Sequence, residues 1–229
     1  MTPDYEYKGK CHIRFFNCDN MDFMKEVEDK YNLAIVDPPY GIGQHGTIGF
    51  ATKKTKGFTF NKKEYKSKDW DNEIPTAEYF EQLFRVSKNQ IIWGANYFIK
   101  ELPNLKNFIY WHKKGQSADE KFNEGEIAFT SIGRSRMFEI WWNGFGTINS
   151  GENRIHPTQK PKKLYRMLLR EYAKKGDKIL DTHGGSMTLA RACYEEGFDL
   201  DIMELDKEYF NKGVLAFKQH VSQYNLFQQ

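Results

Sequence analysis

Short apolar runs that alternate with helical stretches constrain the fold of this chain more than any other feature of its sequence. The runs predict strands at 12–16, 33–36, 91–93, 108–111, 126–130, 137–142, 178–180 and 199–203. Apolar residues at helical spacing predict helices at about 21–29, after Pro75, at 162–174, at 187–196 and from about 207. Because strands and helices alternate, the pattern favours an α/β fold with a mostly parallel sheet covered on both faces. The strands between 108 and 142 have no intervening helices, which predicts an antiparallel edge or an insertion.

Length and composition narrow the class of protein further. A chain of 229 residues predicts a single domain spanning 1–229. No apolar run approaches transmembrane length and the first residues lack the pattern of a secretion signal, so we expect no membrane partner and a cytoplasmic location. Cys11, Cys18 and Cys193 form no CxxC pair, so we expect neither a disulfide framework nor a metal site.

The apolar run at 33–36 ends in the tetrapeptide Asp37-Pro38-Pro39-Tyr40, an unusual ending for a strand. The prolines have fixed φ angles and no N–H group, so the loop is stiff and its carbonyl oxygens are free acceptors. Asp37 adds two acceptor oxygens and Tyr40 adds a flat aromatic face. Such a loop can hold the exocyclic amino group of a planar base. The alternative is a strand stopped by proline with an incidental turn.

A glycine-rich turn follows the apolar run at 178–180 and reads Asp181-Thr182-His183-Gly184-Gly185-Ser186-Met187-Thr188. Glycines let the backbone approach a ligand, and Glu204 follows the next strand, where an acid can accept hydrogen bonds from ribose hydroxyls. The turn does not match GxGxxG, and the chain has no GxxxxGKS or GxxxxGKT phosphate loop. This favours a ligand with ribose but no phosphate, such as S-adenosylmethionine. The alternative is a helix start without a ligand.

Two further segments separate these motifs. His156-Pro157-Thr158-Gln159-Lys160-Pro161 precedes a helix, with Pro161 expected at its first position and Thr158 or Lys160 able to reach a carboxylate. Taken alone, it is more typical of a rigid loop. The segment 41–69 carries seven lysines against two acidic residues, interleaved with aromatic residues. That composition fits nucleic-acid binding, with a solvated loop as the alternative.

Together, the Asp-Pro-Pro-Tyr, His-Pro-Thr-Gln-Lys-Pro and glycine-turn segments resemble the amino-methyltransferases of the adenine-N6/cytosine-N4 DNA type, over about 19 to 209. The catalytic motif precedes the cofactor motif, which resembles the β order of that family. The resemblance implies a Rossmann-like methyltransferase fold, S-adenosyl-L-methionine as cofactor, double-stranded DNA as partner and a possible homodimer. It also implies that a flipped-out adenine receives a methyl group on N6, with Asp37 and the Pro38 carbonyl accepting the amino hydrogens while Tyr40 stacks on the base.

The resemblance assigns the residues of the site as well. The catalytic residues that it implies are Asp37, Pro38, Pro39 and Tyr40. The cofactor-binding residues that it implies are Asp19, Thr158, Lys160, Asp181, Gly185, Ser186, Thr188 and Glu204. Target recognition would fall to 41–69 and to a short insertion at about 113–155, whose tryptophans Trp141 and Trp142 are more typical of a core than of a platform for bases.

The glycine turn departs from the family pattern Asp-Pro-Phe-x-Gly-x-Gly-Thr at three positions. Thr182 replaces the proline, His183 replaces the phenylalanine and Met187 replaces the second glycine. We expect His183 to weaken or re-aim the contact that the phenylalanine makes with the cofactor. Met187 introduces a side chain where the family leaves the backbone bare.

Other functions are compatible with parts of this pattern. The acceptor could be cytosine N4 or an RNA base, although Asp at position 37 favours adenine, and a protein-glutamine methyltransferase more usually has asparagine there. A non-catalytic DNA-binding relative would follow if the altered turn held no methyl donor. A dehydrogenase shares the spacing of Glu204 but not the glycine pattern. A cytosine-C5 enzyme is disfavoured, because none of the cysteines follows a proline.

Overall fold

The computed structural model describes residues 1–28, 30–43, 71, 73–102, 106–114, 123–141, 155–156 and 158–226; most of the basic segment and Trp142 lie outside them. Within these residues the strands are β1 (Tyr5–Lys8), β2 (His12–Phe16), β3 (Tyr31–Val36), β4 (Ser87–Trp93), β5 (Asn107–Lys114), β6 (Gly125–Thr130), β7 (Arg136–Trp141), β8 (Lys178–Asp181) and β9 (Asp199–Met203). The helices are α1 (Asn20–Glu26), α2 (Ala77–Val86), α3 (Lys162–Tyr172), α4 (Thr188–Glu196) and α5 (Lys207–Leu226).

These strands form one sheet in the order β1-β2-β9-β8-β3-β4-β6-β5-β7. The strands from β2 to β4 in this order pair in parallel, which confirms the predicted α/β class. β6 pairs antiparallel with β4 and β5, as expected for strands without helices between them, whereas β7 pairs parallel with β5. β1 adds an antiparallel edge that the sequence pattern does not predict, because none of its residues is buried and no apolar run marks it.

Helices cover both faces of the sheet, as predicted. Leu33 and Ile35 of β3 belong to a core cluster that includes buried residues of α3, α4 and α5. Ala34 and Val36 belong to a second cluster that includes buried residues of α1 and α2. Because successive side chains of a strand point to opposite faces, the continuous apolar run of β3 reflects burial on both sides.

The start of α2 agrees with the sequence prediction, whereas the roles of Pro161 and Met187 differ from it. α2 begins after Pro75, with the extended residue Thr76 as its N-cap. Pro161 is not the first residue of α3 but its extended N-cap, with φ −68° and ψ 140°. α4 begins at Thr188 because Met187 has φ 54°, a left-handed conformation that a right-handed helix cannot contain.

One face of β7 is exposed, and the expected core position of Trp141 is therefore wrong. Trp141 is 53% exposed and Met137 is 66% exposed. The two residues are four apart on an edge strand and so point to the same face. Phe138 and Ile140, which point to the opposite face, are buried in the core cluster beneath α3.

The Met187 side chain packs into the protein interior beneath the glycine turn. It is fully buried, and a Cβ added to Gly213 of α5 would lie 2.3 Å from Met187 Cγ. A Cβ on Gly184 would lie 2.7 Å from its Sδ. The missing side chain at Gly213 therefore provides the space that Met187 occupies.

We expect Gly213→Ala to lower the free energy of unfolding by about 1–3 kcal/mol, because forced overpacking exceeds the gain in helix propensity. Chemical denaturation measures this change. Asn211→Ala, at an exposed position of the same helix, is the control and should change it by less than about 0.5 kcal/mol. Adding Met187→Ala to Gly213→Ala should relieve the clash, and a fully stable Gly213→Ala single variant would contradict this packing.

Candidate active site

Three acidic residues follow three neighbouring strands at the carboxyl edge of the sheet. Asp37 follows β3, Asp181 ends β8 and Glu204 follows β9. The three strands are adjacent and parallel, and Asp181 pairs with Ile202, two residues before Glu204. Open α/β sheets bind their ligands in the crevice at this edge, so these acids stand where a site is expected.

Two donors from different parts of the chain engage the Asp37 carboxylate. The Tyr40 hydroxyl donates to Oδ1 at 2.6 Å, and Lys160 Nζ lies 2.5 Å from Oδ2. Lys160 Nζ also donates to the Tyr40 oxygen at 3.3 Å. Pro38 and Pro39 lie between Asp37 and Tyr40 in the loop, and Pro38 is buried while Pro39 is half-buried. Lys160 therefore reaches a carboxylate, as its position predicts, and that carboxylate belongs to Asp37.

A second carboxylate, that of Glu126 on β6, holds the other side of the Lys160 ammonium. Glu126 Oε2 lies 3.0 Å from Lys160 Nζ, and Glu126 Oε1 lies 2.6 Å from Lys113 Nζ on β5. The Lys160 ammonium also lies 5.1 Å from the centroid of the Trp93 ring, whose face attracts a cation. Asp37, Lys160, Glu126 and Lys113 thus form a cluster in which carboxylates and ammonium groups alternate. With all four groups ionised, the cluster has no net charge.

Burial and these neighbouring charges set the protonation of the cluster. Burial raises the pKa of the Asp37 carboxyl, while the Lys160 ammonium opposes that rise and Glu126 adds to it. Burial also acts on Glu126, but Lys160 and Lys113 outweigh it and lower the pKa of Glu126 to about 2. For Lys160, the two carboxylates outweigh burial and raise its pKa. Glu126 and Lys160 are therefore charged at neutral pH, and Asp37 is the group that takes up a proton most readily.

Several contacts fix the Tyr40 ring. It stacks on Tyr97 with ring centroids 5.0 Å apart and an interplanar angle of 16°. Gly94, at the end of β4, has φ 75°, and a Cβ there would lie 2.3 Å from the Tyr40 ring. The backbone N–H groups of Tyr40 and Gly41 donate to the buried Asp71 carboxylate at 2.7 and 3.0 Å. The loop after β3 is thus held at its backbone and at its aromatic ring.

Glu204 holds the glycine turn against the end of β9. Its Oε2 accepts the N–H of Gly185 at 2.7 Å, and its Oε1 accepts the N–H of Asp206 at 2.8 Å. The N–H of Gly184 donates to the carbonyl of Met203 at 2.6 Å. Gly185 has φ 49°, which suits glycine. Gly185 and Glu204, both predicted for the cofactor site, are therefore in direct contact.

Asp181 lies beside this turn and is buried. Its Oδ1 accepts the backbone N–H of His183 at 3.0 Å. Burial raises the pKa of the Asp181 carboxyl to about 8; the His183 hydrogen bond opposes the rise, and the charges of Asp37 and Glu204 add to it. Asp181 is therefore mostly protonated at neutral pH, and a cationic ligand nearby would favour its ionised form.

The unusual residues Thr182 and His183 form a polar network. Thr182 Oγ1 lies 2.8 Å from the Tyr79 hydroxyl and 2.9 Å from His183 Nδ1, and His183 Nε2 lies 3.1 Å from the Asn20 amide nitrogen. Burial lowers the pKa of His183 to about 4, so the ring is neutral at physiological pH. These contacts fit a proton on Nδ1, which leaves Nε2 to accept from Asn20. His183 is thus a fixed, uncharged aromatic ring.

Ser186 and Thr188 turn their hydroxyl groups toward each other in the interior. Their oxygens share a hydrogen bond of 2.7 Å, and Arg191 of α4 donates to Thr188 Oγ1 at 2.7 Å. All three residues are buried. These side chains stabilise the start of α4, so any contact that they offer a ligand comes through their backbone.

The two remaining predicted cofactor residues are Thr158 and Asp19. Thr158 shares a hydrogen bond with His156 Nδ1, and the His156 ring lies 3.6 Å from the position of a Cβ on Gly185. His156 also packs edge-to-face on Tyr209 at 4.5 Å. Asp19 is exposed and caps α1 by accepting the N–H of Met21 at 2.7 Å.

Four residues of this site do not stand out in the sequence. Glu126, Tyr97, Asp71 and Asn20 act through contacts between segments that are distant in the chain, and no motif contains them. Glu126 offers a partial signal, because it is a charged residue at the start of a predicted strand. The others carry no comparable signal.

Comparisons with known proteins bear on the family and the fold of this chain. A family model described as DNA methylase matches residues 31–216. The type II methyltransferase M.HpaI of Haemophilus parainfluenzae is 22% identical over 217 residues, which cover 80% of this chain and 66% of that protein. The chain therefore spans just under two thirds of the length of this curated relative.

Two solved structures share the fold. The M1.HpyAVI–SAM complex superposes with a TM-score of 0.59 at 17% identity, covering 89% of this chain and 98% of that one. The PvuII DNA methyltransferase, described as cytosine-N4-specific, superposes with a TM-score of 0.59 at 15% identity, covering 98% of this chain and 94% of that one. The Rossmann-like methyltransferase fold implied by the motifs is thereby confirmed.

The raised pKa of Asp181 predicts how stability depends on pH. An unfolded aspartate titrates near pH 3.9, about four units below the folded value of about 8. Between these values the folded protein holds a proton that the unfolded chain has released, so the free energy of unfolding falls as pH rises. Asparagine cannot lose a proton, so the free energy of unfolding of Asp181→Asn should not fall in this way. Its value relative to the wild type should rise by at least about 1 kcal/mol between about pH 5 and about pH 8.

Urea denaturation at a series of pH values measures this difference. Asp199→Asn, at an exposed position at the start of β9, is the control and should follow the wild-type pH dependence. A curve for Asp181→Asn that runs parallel to the wild-type curve would contradict the raised pKa.

Proposed function

This chain belongs to the DNA methylase family, and we propose that it transfers a methyl group from S-adenosyl-L-methionine to the N6 amino group of adenine in DNA. The observation that carries the proposal is the position of Asp37. Its carboxylate stands on a stiff proline loop at the carboxyl edge of the sheet, and an ammonium and a hydroxyl already donate to its two oxygens. An amino group offers the same kind of donor, so Asp37 is suited to accept its hydrogens.

The residues around the glycine turn fit the chemistry of S-adenosyl-L-methionine. Glu204 can exchange its backbone hydrogen bonds for ribose hydroxyls, and buried Asp181 can ionise to balance a positive charge. His183 supplies a neutral aromatic ring, and Asp19 and Thr158 border the same turn. The bound cofactor supplies a methyl group on a positively charged sulfur, which is activated for attack by a nucleophile. M1.HpyAVI, which shares the fold, is described in complex with this molecule.

The acceptor residues address the weakness of the amino group as a nucleophile. Its nitrogen lone pair is delocalised into the aromatic ring of the base. Asp37 and the Pro38 carbonyl accept its two hydrogens and draw the nitrogen toward tetrahedral geometry, which frees the lone pair for attack. Asp37 also stabilises the positive charge that develops on nitrogen and can accept the proton lost after transfer. The rate then comes from positioning and electrostatic stabilisation, without a covalent enzyme intermediate.

The second candidate acceptor is cytosine N4. The similarity of this fold to the PvuII methyltransferase, which is described as cytosine-N4-specific, favours it. An aspartate at position 37 favours adenine instead. Both acceptors are amino groups next to a ring nitrogen, so the same residues would act on either.

DNA is the partner in this proposal, and its target base would leave the duplex to stack on Tyr40. Arg154 lies outside the described residues; among the described basic side chains of 113–155, Lys113 pairs with Glu126, Arg136 pairs with Glu171 and Arg134 is exposed. Arg134 is therefore a candidate for contact with phosphate. No helix of the described part of the chain could span a membrane. A single domain, a homodimer and a cytoplasmic location stay predictions.

The direct test is to identify the methylated base. The protein is incubated with methyl-labelled S-adenosyl-L-methionine and unmethylated genomic DNA or RNA, and the nucleic acid is digested to nucleosides. We expect label in N6-methyladenine from DNA. Label in N4-methylcytosine would select the second candidate, and label from RNA alone would change the substrate class. No label in any nucleoside, with cofactor binding absent in calorimetry, would favour a non-catalytic DNA-binding protein.

A further inference from the structure

The Lys160 ammonium occupies the place where the proposed function puts the amino group of the base. It lies 2.5 Å from Asp37 Oδ2, while the Tyr40 hydroxyl occupies Oδ1 at 2.6 Å. Both oxygens of the carboxylate are therefore engaged by groups of the protein itself. Each oxygen can accept a second hydrogen bond, but the charged ammonium is the stronger donor, so an incoming amino group binds Asp37 best when the ammonium moves away.

Lys160 cannot withdraw into water, because its side chain is only 2% exposed. A buried ammonium without a counter-charge is strongly unfavourable, so Lys160 needs a second carboxylate within reach. Glu126 Oε2 lies 3.0 Å from Lys160 Nζ, and the Trp93 ring offers its face to the same cation. A small movement of the ammonium would exchange Asp37 for Glu126 as its main partner.

We propose that Glu126 is a positioning residue that receives the Lys160 ammonium when an amino group enters the site, so that Asp37 becomes free to accept the amino hydrogens. This inference rests on the proposed function. Glu126 touches neither base nor cofactor in this account and acts only through Lys160. Lys113, 2.6 Å from Glu126 Oε1, keeps the cluster neutral in both positions of Lys160.

The groups that face Asp37 define how its titration responds to changes at Glu126. Lys160 and Glu126 are the charged groups of the cluster that act on Asp37 directly, Lys113 pairs with Glu126, and Asp181 lies at the end of the neighbouring strand. Tyr40 and the buried tyrosines Tyr79 of α2 and Tyr165 of α3 are neutral, because burial raises the pKa of each. If Glu126 loses its charge, Asp37 becomes the only carboxylate of the cluster that pairs with Lys160. The pKa of Asp37 then falls.

The test is Glu126→Gln, assayed with unmethylated genomic DNA and labelled S-adenosyl-L-methionine over a range of pH. Because Lys160 then has no second carboxylate, we expect kcat to fall at least about tenfold, while KM for DNA and Kd for the cofactor stay within about twofold. On the acidic side of the pH profile, kcat rises as Asp37 loses its proton. This acidic limb should move to lower pH. Lys160→Met combined with Glu126→Gln should be no slower than Lys160→Met alone, because Glu126 acts through Lys160.

Glu195→Gln is the matched control. Glu195 is also a buried carboxylate held by cations, Lys162 and Arg166, but it lies on α4 outside the cluster. We expect it to lower the melting temperature without changing kcat or the acidic limb. If Glu126→Gln does not fold, Lys113→Gln carries the test, because it removes the cation that balances Glu126 and should move the acidic limb to higher pH.

The inference is overturned if Glu126→Gln keeps the wild-type kcat and acidic limb, if its loss simply adds to that of Lys160→Met, or if Lys113→Gln leaves the acidic limb in place. These results require an active wild-type protein. A wild-type protein that methylates no nucleic acid would instead overturn the proposed function, and this inference with it.

Discussion

The parallel pairing of β3, β8 and β9 is the constraint on which the rest of this site depends. Parallel strands end at the same edge of a sheet, and here each of the three ends delivers an acidic residue. A shift of one residue in any of these strands would turn its core side chains to the opposite face, so the buried residues of β3 and β8 fix the register. The core thereby sets the distances between Asp37, Asp181 and Glu204.

The carboxyl groups of Asp37, Asp181 and Glu204 are stabilised in three different ways. Asp37 has a lysine ammonium within 2.5 Å, Asp181 holds a proton at neutral pH, and Glu204 accepts two backbone N–H groups. Each arrangement is reversible, because the ammonium can be exchanged, the proton can be released and the backbone bonds can be replaced by hydroxyl groups. The site is therefore satisfied without a ligand and can take up a cationic, hydroxyl-bearing ligand and an amino group without leaving buried charges unpaired.

The sequence predicts the sheet class, most strands and the grouping of the acids, because these depend on local apolar patterns and on topology. It misses β1, which has no buried residue, and it places Trp141 in the core, because a tryptophan on a strand is more typical of a core than of an exposed face. The role of Glu126 depends on the antiparallel pairing of β6 with β4 and β5, which no motif encodes. The space for the Met187 side chain comes from Gly213, which is distant in sequence, so no local pattern predicts this packing.

The central claim is that Asp37 acts on the amino group and not on the cofactor. The measurement that tests it most directly compares Asp37→Ala with the wild type in two assays, calorimetric binding of S-adenosyl-L-methionine and transfer of its labelled methyl group to DNA. We expect transfer to fall by at least about a thousandfold while the cofactor Kd stays within about threefold. Methyl transfer by Asp37→Ala at the wild-type rate would contradict this claim.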